Sequence, residues 1–374
     1  MDDLRYGVIG TGMMGLEHIH NIAAVDGARV TAIADPSEES RDAAVAAVGD
    51  PDLRVFADHR DLLAAGDLDA VLVATPNMTH HPILMDALNT DLHILVEKPL
   101  CATVEQCQEV VAAAEHHDGI VWVGLEYRYM PPIARLAEEV AGGAVGDVRM
   151  VAIREHRFPF LVKVDNWNRF NRNSGGTLVE KCCHFFDLMN LFADDRPVRV
   201  LASGAQDVNH LDEVYDGEVP DILDNAYVIV EYAGGRRAML DLCLFAEGGI
   251  NEQEITVTGD VGKAEAFVPE GTVRVGTRAD RSVRVEQVTD ARVKYDGLHH
   301  GSSYLEHLDF LAAIRSGSQP AVGLRDGLLS VAMGAAAHRS IDEGRPVLLS
   351  EILGEQPPGP DAESQAATPR AATT

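Results

Sequence analysis

The sequence predicts a doubly wound, parallel α/β sheet in its N-terminal third, followed by an α+β region built on a large, mainly antiparallel, open-faced sheet. Three observations predict it. From Tyr6 to about Leu125, short apolar runs alternate with segments of helical period. A glycine-rich turn joins the first of those runs to the first helix. After Glu126 the alternation stops, and strand-length segments with period-two patterning dominate from Val198 to Val288.

Taken in order, six strands fall at Tyr6 to Gly10, Val30 to Asp35, Arg54 to Ala57, Ala70 to Thr75, His93 to Val96 and Ile120 to Leu125, with helices such as Val104 to His117 between them. Two βαβ halves of three strands follow naturally. The second region opens with a helix at Pro131 to Ala141, a strand at Val148 to His156 and a helix at Leu178 to Phe192. Two late amphipathic helices, Tyr304 to Ile314 and Asp326 to Asp342, flank a Gly-Ser-Gln-Pro turn and are expected to pack back on one of the domains. The expected domains are 1–125 and 126–350. A tail at 355–374 has no Val, Ile, Leu, Met or aromatic residue and is expected to be disordered.

Composition narrows the function classes. A net charge of -28 repels polyanions, which argues against nucleic acid and anionic lipid surfaces as partners. No run approaches the roughly 18 apolar residues that a membrane helix needs. The start, Met1 to Arg5, lacks a basic segment followed by an apolar one, so a cytoplasmic location is expected. Five cysteines without a CxxC pair fit a reducing compartment, with no disulfide. Adjacent Cys182 and Cys183 diverge by about 100° on a helix and no second ligand pair stands near them in sequence, so no metal is expected.

Gly10-Thr11-Gly12-Met13-Met14-Gly15 lies between a strand and a helix, where glycines permit a tight turn and close approach of a pyrophosphate to the helix N-terminus. Asp35 ends the second strand, placed to accept hydrogen bonds from ribose hydroxyls and to repel a 2′-phosphate. The cofactor predicted is NAD. Thr75, Pro76 and Asn77 end the fourth strand, with His80 just beyond, and Glu97-Lys98-Pro99 ends the fifth; both motifs border the crevice at the carboxyl edge of the sheet and are candidates for the nicotinamide side.

The glycine motif, Ala74-Thr75-Pro76-Asn77 with His80, Glu97-Lys98-Pro99, Tyr127-Arg128-Tyr129, and the block from Gly175-Gly176 through Glu180 and His184 to Asp187 together resemble the Gfo/Idh/MocA family, named after glucose-fructose oxidoreductase and inositol dehydrogenase. The resemblance implies Lys98 and His184 flanking the nicotinamide and the reacting carbon, with Glu180 in the place of an aspartate usual there. It also implies Glu97 contacting the nicotinamide ribose, Arg128 and Tyr129 at the substrate, and a homodimer or homotetramer. Hydride abstraction from a secondary alcohol requires a base for the hydroxyl proton. A lysine starts at about 10.4 and must be lowered to serve, whereas a histidine needs no shift. On a continuous helix, Glu180 and His184 would share one face.

Between Arg149 and Lys181 stand seven basic and three acidic residues, against the trend of the chain. Arg157, Lys163, Trp167 and Lys181 in that stretch are expected at the substrate, with one or two bases reading an anionic group; pairing with acids at a subunit interface is the competing expectation. Gln206 to Asn225, with seven acidic and no basic residues, reads as a solvated loop. The function predicted is NAD-dependent oxidation of a secondary alcohol carbon in a sugar, sugar derivative or inositol-like polyol. The alternatives are a glycoside hydrolase that uses NAD transiently for oxidation, elimination and water addition, and a non-catalytic NAD-binding sensor.

Overall fold

The computed structural model describes residues 3–354; the tail expected at 355–374 lies outside them. The first sheet contains β1 (Leu4–Ile9), β2 (Ala28–Ala34), β3 (Arg54–Phe56), β4 (Ala70–Val73), β5 (His93–Glu97) and β6 (Val121–Gly124). Their order is β3-β2-β1-β4-β5-β6 and every pairing is parallel. All six stand where the sequence places them, with ends shifted by at most two residues. Helices cover both faces, so β4 and β5 read as unbroken apolar runs whose Val71, Leu72, Val73, Ile94, Leu95 and Val96 are fully buried. The strand order reverses between β1 and β4, which opens a crevice at their carboxyl ends.

The second sheet contains β7 (Val148–His156), β8 (Pro197–Ala205), β9 (Asn225–Tyr232), β10 (Arg237–Cys243), β11 (Gln253–Gly259), β12 (Gly262–Val268), β13 (Thr272–Thr277), β14 (Val283–Gln287) and β15 (Val347–Leu348). Its order is β14-β13-β12-β11-β7-β10-β9-β8-β15, antiparallel except for β7 with β10. One face is buried against helices and the other is open. In β9, Val228 and Val230 are buried while Tyr227 and Ile229 are exposed. Leu201, Ile229 and Met239 stand in register on the open face.

The helix Ser302–Ser316 packs on the helix Met13–Ala24 and on the turn Glu126–Tyr129, and the helix Leu324–Glu343 packs on Val104–Ala113, Cys183–Ala193 and β8. The two late helices thus clamp both sheets together instead of serving one domain. Among the described residues no helix is long and apolar enough to cross a membrane.

Two further expectations are corrected. The helix expected at Leu178 to Phe192 is broken into Thr177–Glu180 and Cys183–Ala193. The amides of Lys181 and Cys182 both donate to the carbonyl of Thr177, and those of Phe185 and Phe186 both donate to that of Cys182, so the ladder ends and restarts. The acidic segment from Gln206 to Asn225 has no helix or strand of its own, yet it is pinned and not simply solvated. The Asp224 carboxylate accepts from the backbone amides of Asp207, Val208 and Asn209, while Glu213 and Glu218 pair with Arg169 and Arg172.

Candidate active site

The glycine turn assigns a different task to each glycine. Gly10 has φ +87°, and a Cβ there would lie 2.6 Å from the carbonyl oxygen of Ala74. A Cβ on Gly15 would lie 2.1 Å from that of Gly10, so this residue lets helix and strand pack and stays out of the cleft wall. Gly12 has nothing within 4 Å of its Cβ position and faces open space. Asp35 follows β2; its carboxylate accepts from the amide of Thr11 at 2.7 Å and from that of Ser37 at 2.8 Å. Thr11 is buried behind this bond and does not line the cleft.

A cleft of about 770 Å³ starts at Gly10, Gly12, Met13, Met14 and Asp35 and runs past Thr75, Pro76 and Asn77 to Glu97 and Lys98. Lys163, Trp167 and Glu180 complete the wall at that end. These residues fit NAD: an unobstructed glycine lies at a helix N-terminus where a pyrophosphate would sit, and a carboxylate stands at the end of β2. His80 departs from expectation. Its imidazole is fully buried between the carbonyl oxygens of Pro99 and Thr75, each at 2.9 Å, so it ties the two strand-end motifs together and has no nitrogen left for a cofactor.

Lys98 lies at the carboxyl end of β5 and its ammonium donates to the carbonyl oxygen of Glu180 at 3.3 Å. Among the described residues no backbone amide donates to that carbonyl, because the helix breaks after it, and the Cys183 thiol is its other donor, at 3.4 Å. Burial alone would lower the Lys98 pKa, but Cys183, Glu180, Glu97 and Glu126 outweigh it and hold the ammonium above its ordinary range. The lowering required for lysine to act as base is therefore absent in the free site. Glu97 is fully engaged, accepting from His18 at 2.7 Å and from the Lys98 amide at 3.0 Å. Burial pushes its carboxyl up, but the His18 bond and charge and the Lys98 charge hold it at about 2. The Glu180 carboxyl is raised by burial against the pull of Lys98, Lys163 and Lys181.

His184 is 2% exposed and stacks on Tyr127 with ring centroids 4.0 Å apart. Burial, then the charges of Lys98 and Lys181, push its pKa well below the usual value, so the imidazole is neutral. The Lys181 ammonium lies 2.5 Å from the Tyr127 hydroxyl and 3.1 Å from Glu155; burial, then Arg157, lowers it to about 8. Burial raises the Cys182 thiol and pushes Cys183 to about 12, which keeps both protonated and unreactive.

Arg128 and Tyr129, expected at the substrate, do not line the cleft. Arg128 makes a bidentate pair with Asp187 and also reaches Asp326 at 3.1 Å and the carbonyl of Ala321 at 2.9 Å, which welds three elements together. The Tyr129 ring lies 6.4 Å from that of Trp122, against the helix Ser302–Ser316. The member of this triplet at the site is Tyr127. Of the seven bases between residues 149 and 181, six pair with acids of the same chain: Arg149, Arg154, Arg157, Arg169 and Arg172 with Asp147, Glu254, Glu155, Glu213 and Glu218, and Lys181 with Glu155. Lys163 makes no such pair among the described residues; it lines the cleft with its ammonium 5.9 Å from the Trp167 ring.

Sequence reasoning did not single out Glu126 or His299, and it named Tyr127 only within the Tyr127-Arg128-Tyr129 motif, with no role of its own. Glu126 stands just after β6, at the carboxyl edge that marked Glu97, so the same rule could have found it. His299 arrives from the short turn Gly297–His299 and carries no local signal.

Relatives with this architecture include the myo-inositol 2-dehydrogenase of Thermotoga maritima, 28% identical over 94% of this chain and 100% of the relative. An inositol 2-dehydrogenase of Rhizobium meliloti is 27% identical over 93% of this chain and 99% of the relative. Among solved structures, a probable dehydrogenase from Thermotoga maritima superposes with a TM-score of 0.76 at 26% identity, covering 93% of this chain and 100% of the other. A levoglucosan dehydrogenase in complex with NADH and levoglucosan has a TM-score of 0.82 at 21% identity, over 93% and 100% of the two chains, which establishes the shared fold. Residues 4–125 match the oxidoreductase family's NAD-binding Rossmann fold and residues 137–349 match its C-terminal alpha/beta domain, so the chain belongs to the Gfo/Idh/MocA family of NAD-binding oxidoreductases.

Proposed function

We propose that this chain is a dehydrogenase that oxidises a secondary alcohol carbon of a sugar, sugar derivative or inositol-like polyol. The observation that carries the reading is a complementary pair: Lys98, which lines the end of the cleft, is held charged, and its charge helps keep the buried His184 neutral. NAD, when bound, supplies the hydride acceptor. The Lys98 ammonium donates to the reacting oxygen and stabilises the negative charge that grows there. The neutral imidazole of His184 takes the hydroxyl proton, a contribution of roughly 10² to 10⁴ in rate. Glu180 orients a neighbouring hydroxyl, and Lys163 and Trp167 hold the far side of the ring, where one unpaired ammonium favours a substrate rich in acceptors. The inositol 2-dehydrogenases among the relatives support inositol-like polyols as the first candidates to try.

The acidic charge and five free cysteines support a cytoplasmic location. The apolar row Leu201, Ile229 and Met239 on the open sheet face supports a homodimer or homotetramer. The test is a screen of NAD reduction over inositols, aldoses, sugar acids and intact glycosides. Accumulation of NADH with a free polyol or sugar is expected. Release of aglycone from glycosides without net NADH would contradict the proposal.

A further inference from the structure

Glu126 is the least explained side chain near the site. It is 2% exposed, and neither carboxyl oxygen has a hydrogen-bond partner among the described residues. Its Oε1 lies 3.8 Å from Nε2 of His184 on one side and 3.8 Å from Nδ1 of His299 on the other. Nδ1 of His184 and Nδ1 of His299 are themselves buried and without partners. Four orphaned polar atoms in one dry place constitute a large unmet demand, since each such group costs about 1 to 3 kcal/mol. A movement of about 1 Å closes either gap to hydrogen-bond length.

We propose that Glu126 is a positioning residue for His184, which holds Nε2 of the imidazole and exchanges a proton with it, so that the charge state of Glu126 selects between alcohol oxidation and carbonyl reduction. This rests on the dehydrogenase reading above. In oxidation the carbinol hydrogen leaves as hydride to NAD, the hydroxyl proton passes to Nδ1 of His184, and the Nε2 proton passes to the Glu126 carboxylate. The imidazole stays neutral and changes tautomer, and the products are a carbonyl and a protonated Glu126. Reduction runs the same transfers backwards and needs Glu126 protonated at the start.

The surroundings set where the switch lies. Facing Glu126 are Glu97 and Lys98 from the end of β5, Lys181, Cys183 and His184 from the broken helix, His299 from its turn and Glu306 from the helix Ser302–Ser316. Burial pushes the Glu126 carboxyl up to about 8, with Glu97 adding to the rise and Lys98 and Lys181 opposing it. A carboxyl raised this far is protonated at neutral pH, which suits reduction, and ionised above it, which suits oxidation.

The test uses the full chain with NAD or NADH, as wild type, Glu126→Gln and Glu126→Asp. Wild-type kcat for oxidation is expected to rise roughly tenfold per pH unit below a midpoint near 8, with reduction showing the mirror limb. Glu126→Gln, which keeps the shape, is expected to flatten both limbs, and Glu126→Asp to restore them. NMR of the histidine-labelled free protein, with His184 assigned through His184→Asn, gives a readout independent of turnover. Its ring signals should report a titration near 8 that Glu126→Gln abolishes. Unchanged limbs, or an unchanged His184 titration in Glu126→Gln, would overturn the proposal. If no polyol is oxidised, the dehydrogenase reading fails while the NMR titration still decides the pair.

Discussion

The carbonyl of Glu180, released from the helical ladder, receives the Lys98 ammonium at 3.3 Å. The break after Glu180 therefore positions the lysine-bearing strand end against the histidine-bearing helix. Replacing Lys98 with Met keeps the stem and removes the charge. We expect kcat for polyol oxidation to fall roughly 10² to 10⁴-fold, with NAD affinity by titration calorimetry nearly unchanged. A loss confined to NAD affinity would place Lys98 outside the chemistry.

The glycine turn separates folding from binding. Gly15→Ala drives a methyl to 2.1 Å from the carbonyl oxygen of Gly10, and a lowered Tm is expected. Gly12→Ala meets no atom within 4 Å, so Tm should hold while NAD affinity drops. Thermal unfolding with and without NAD distinguishes the two.

Asp35 serves the turn as well as the ribose, because it caps the amides of Thr11 and Ser37. Asp35→Ser removes the charge that repels a 2′-phosphate. The expected outcome is a gain in kcat/KM with NADP relative to NAD, with a stability loss of about 1 to 3 kcal/mol from the two uncapped amides. Denaturant unfolding and cofactor kinetics on the same variant check both halves.

The Arg128 and Asp187 pair is largely buried, so Asp187→Asn leaves a guanidinium short of its partner. A loss of about 3 to 5 kcal/mol is expected. Substrate KM should be unaffected in whatever fraction stays folded, which separates this arginine from a substrate-binding role.

Imidazoles whose pKa burial lowers, among them His184, His299 and His338, make the fold sensitive to acid. Burial lowers His184 far below its ordinary pKa, His299 to about 3 and His338 to about 4. The unfolded chain binds these protons first as pH falls, so stability is fully present above about 6.5 and declines towards the folded values of about 3 and 4. His338 also accepts the amide of Leu178 at 3.2 Å, a bond that protonation breaks. Urea unfolding at several pH values is expected to show this decline, and His338→Gln to reduce its slope.

Much of this was legible because it is local. The runs at Val71 to Val73 and Ile94 to Val96 announce strands buried on both faces, and Gly10 to Gly15 with Asp35 announces the cofactor turn. What the pattern could not express is long-range pairing. Arg128 looked available until Asp187 and Asp326 claimed it, and six of seven bases in the positive stretch found acids in the same chain. The apolar period from Leu178 to Phe192 runs straight through the break at Lys181, because the break is made by where Lys181 and the Glu180 carbonyl find partners. His299 comes from 115 residues beyond His184 and no spacing rule reaches it.

The most direct test follows the hydrogen itself. With a polyol that turns over, deuterated at the carbinol carbon, wild type is expected to place deuterium on the nicotinamide ring of NADH, and His184→Asn and Lys98→Met to slow that transfer together. NADH formed without deuterium, or transfer at wild-type rate in both variants, would contradict the account.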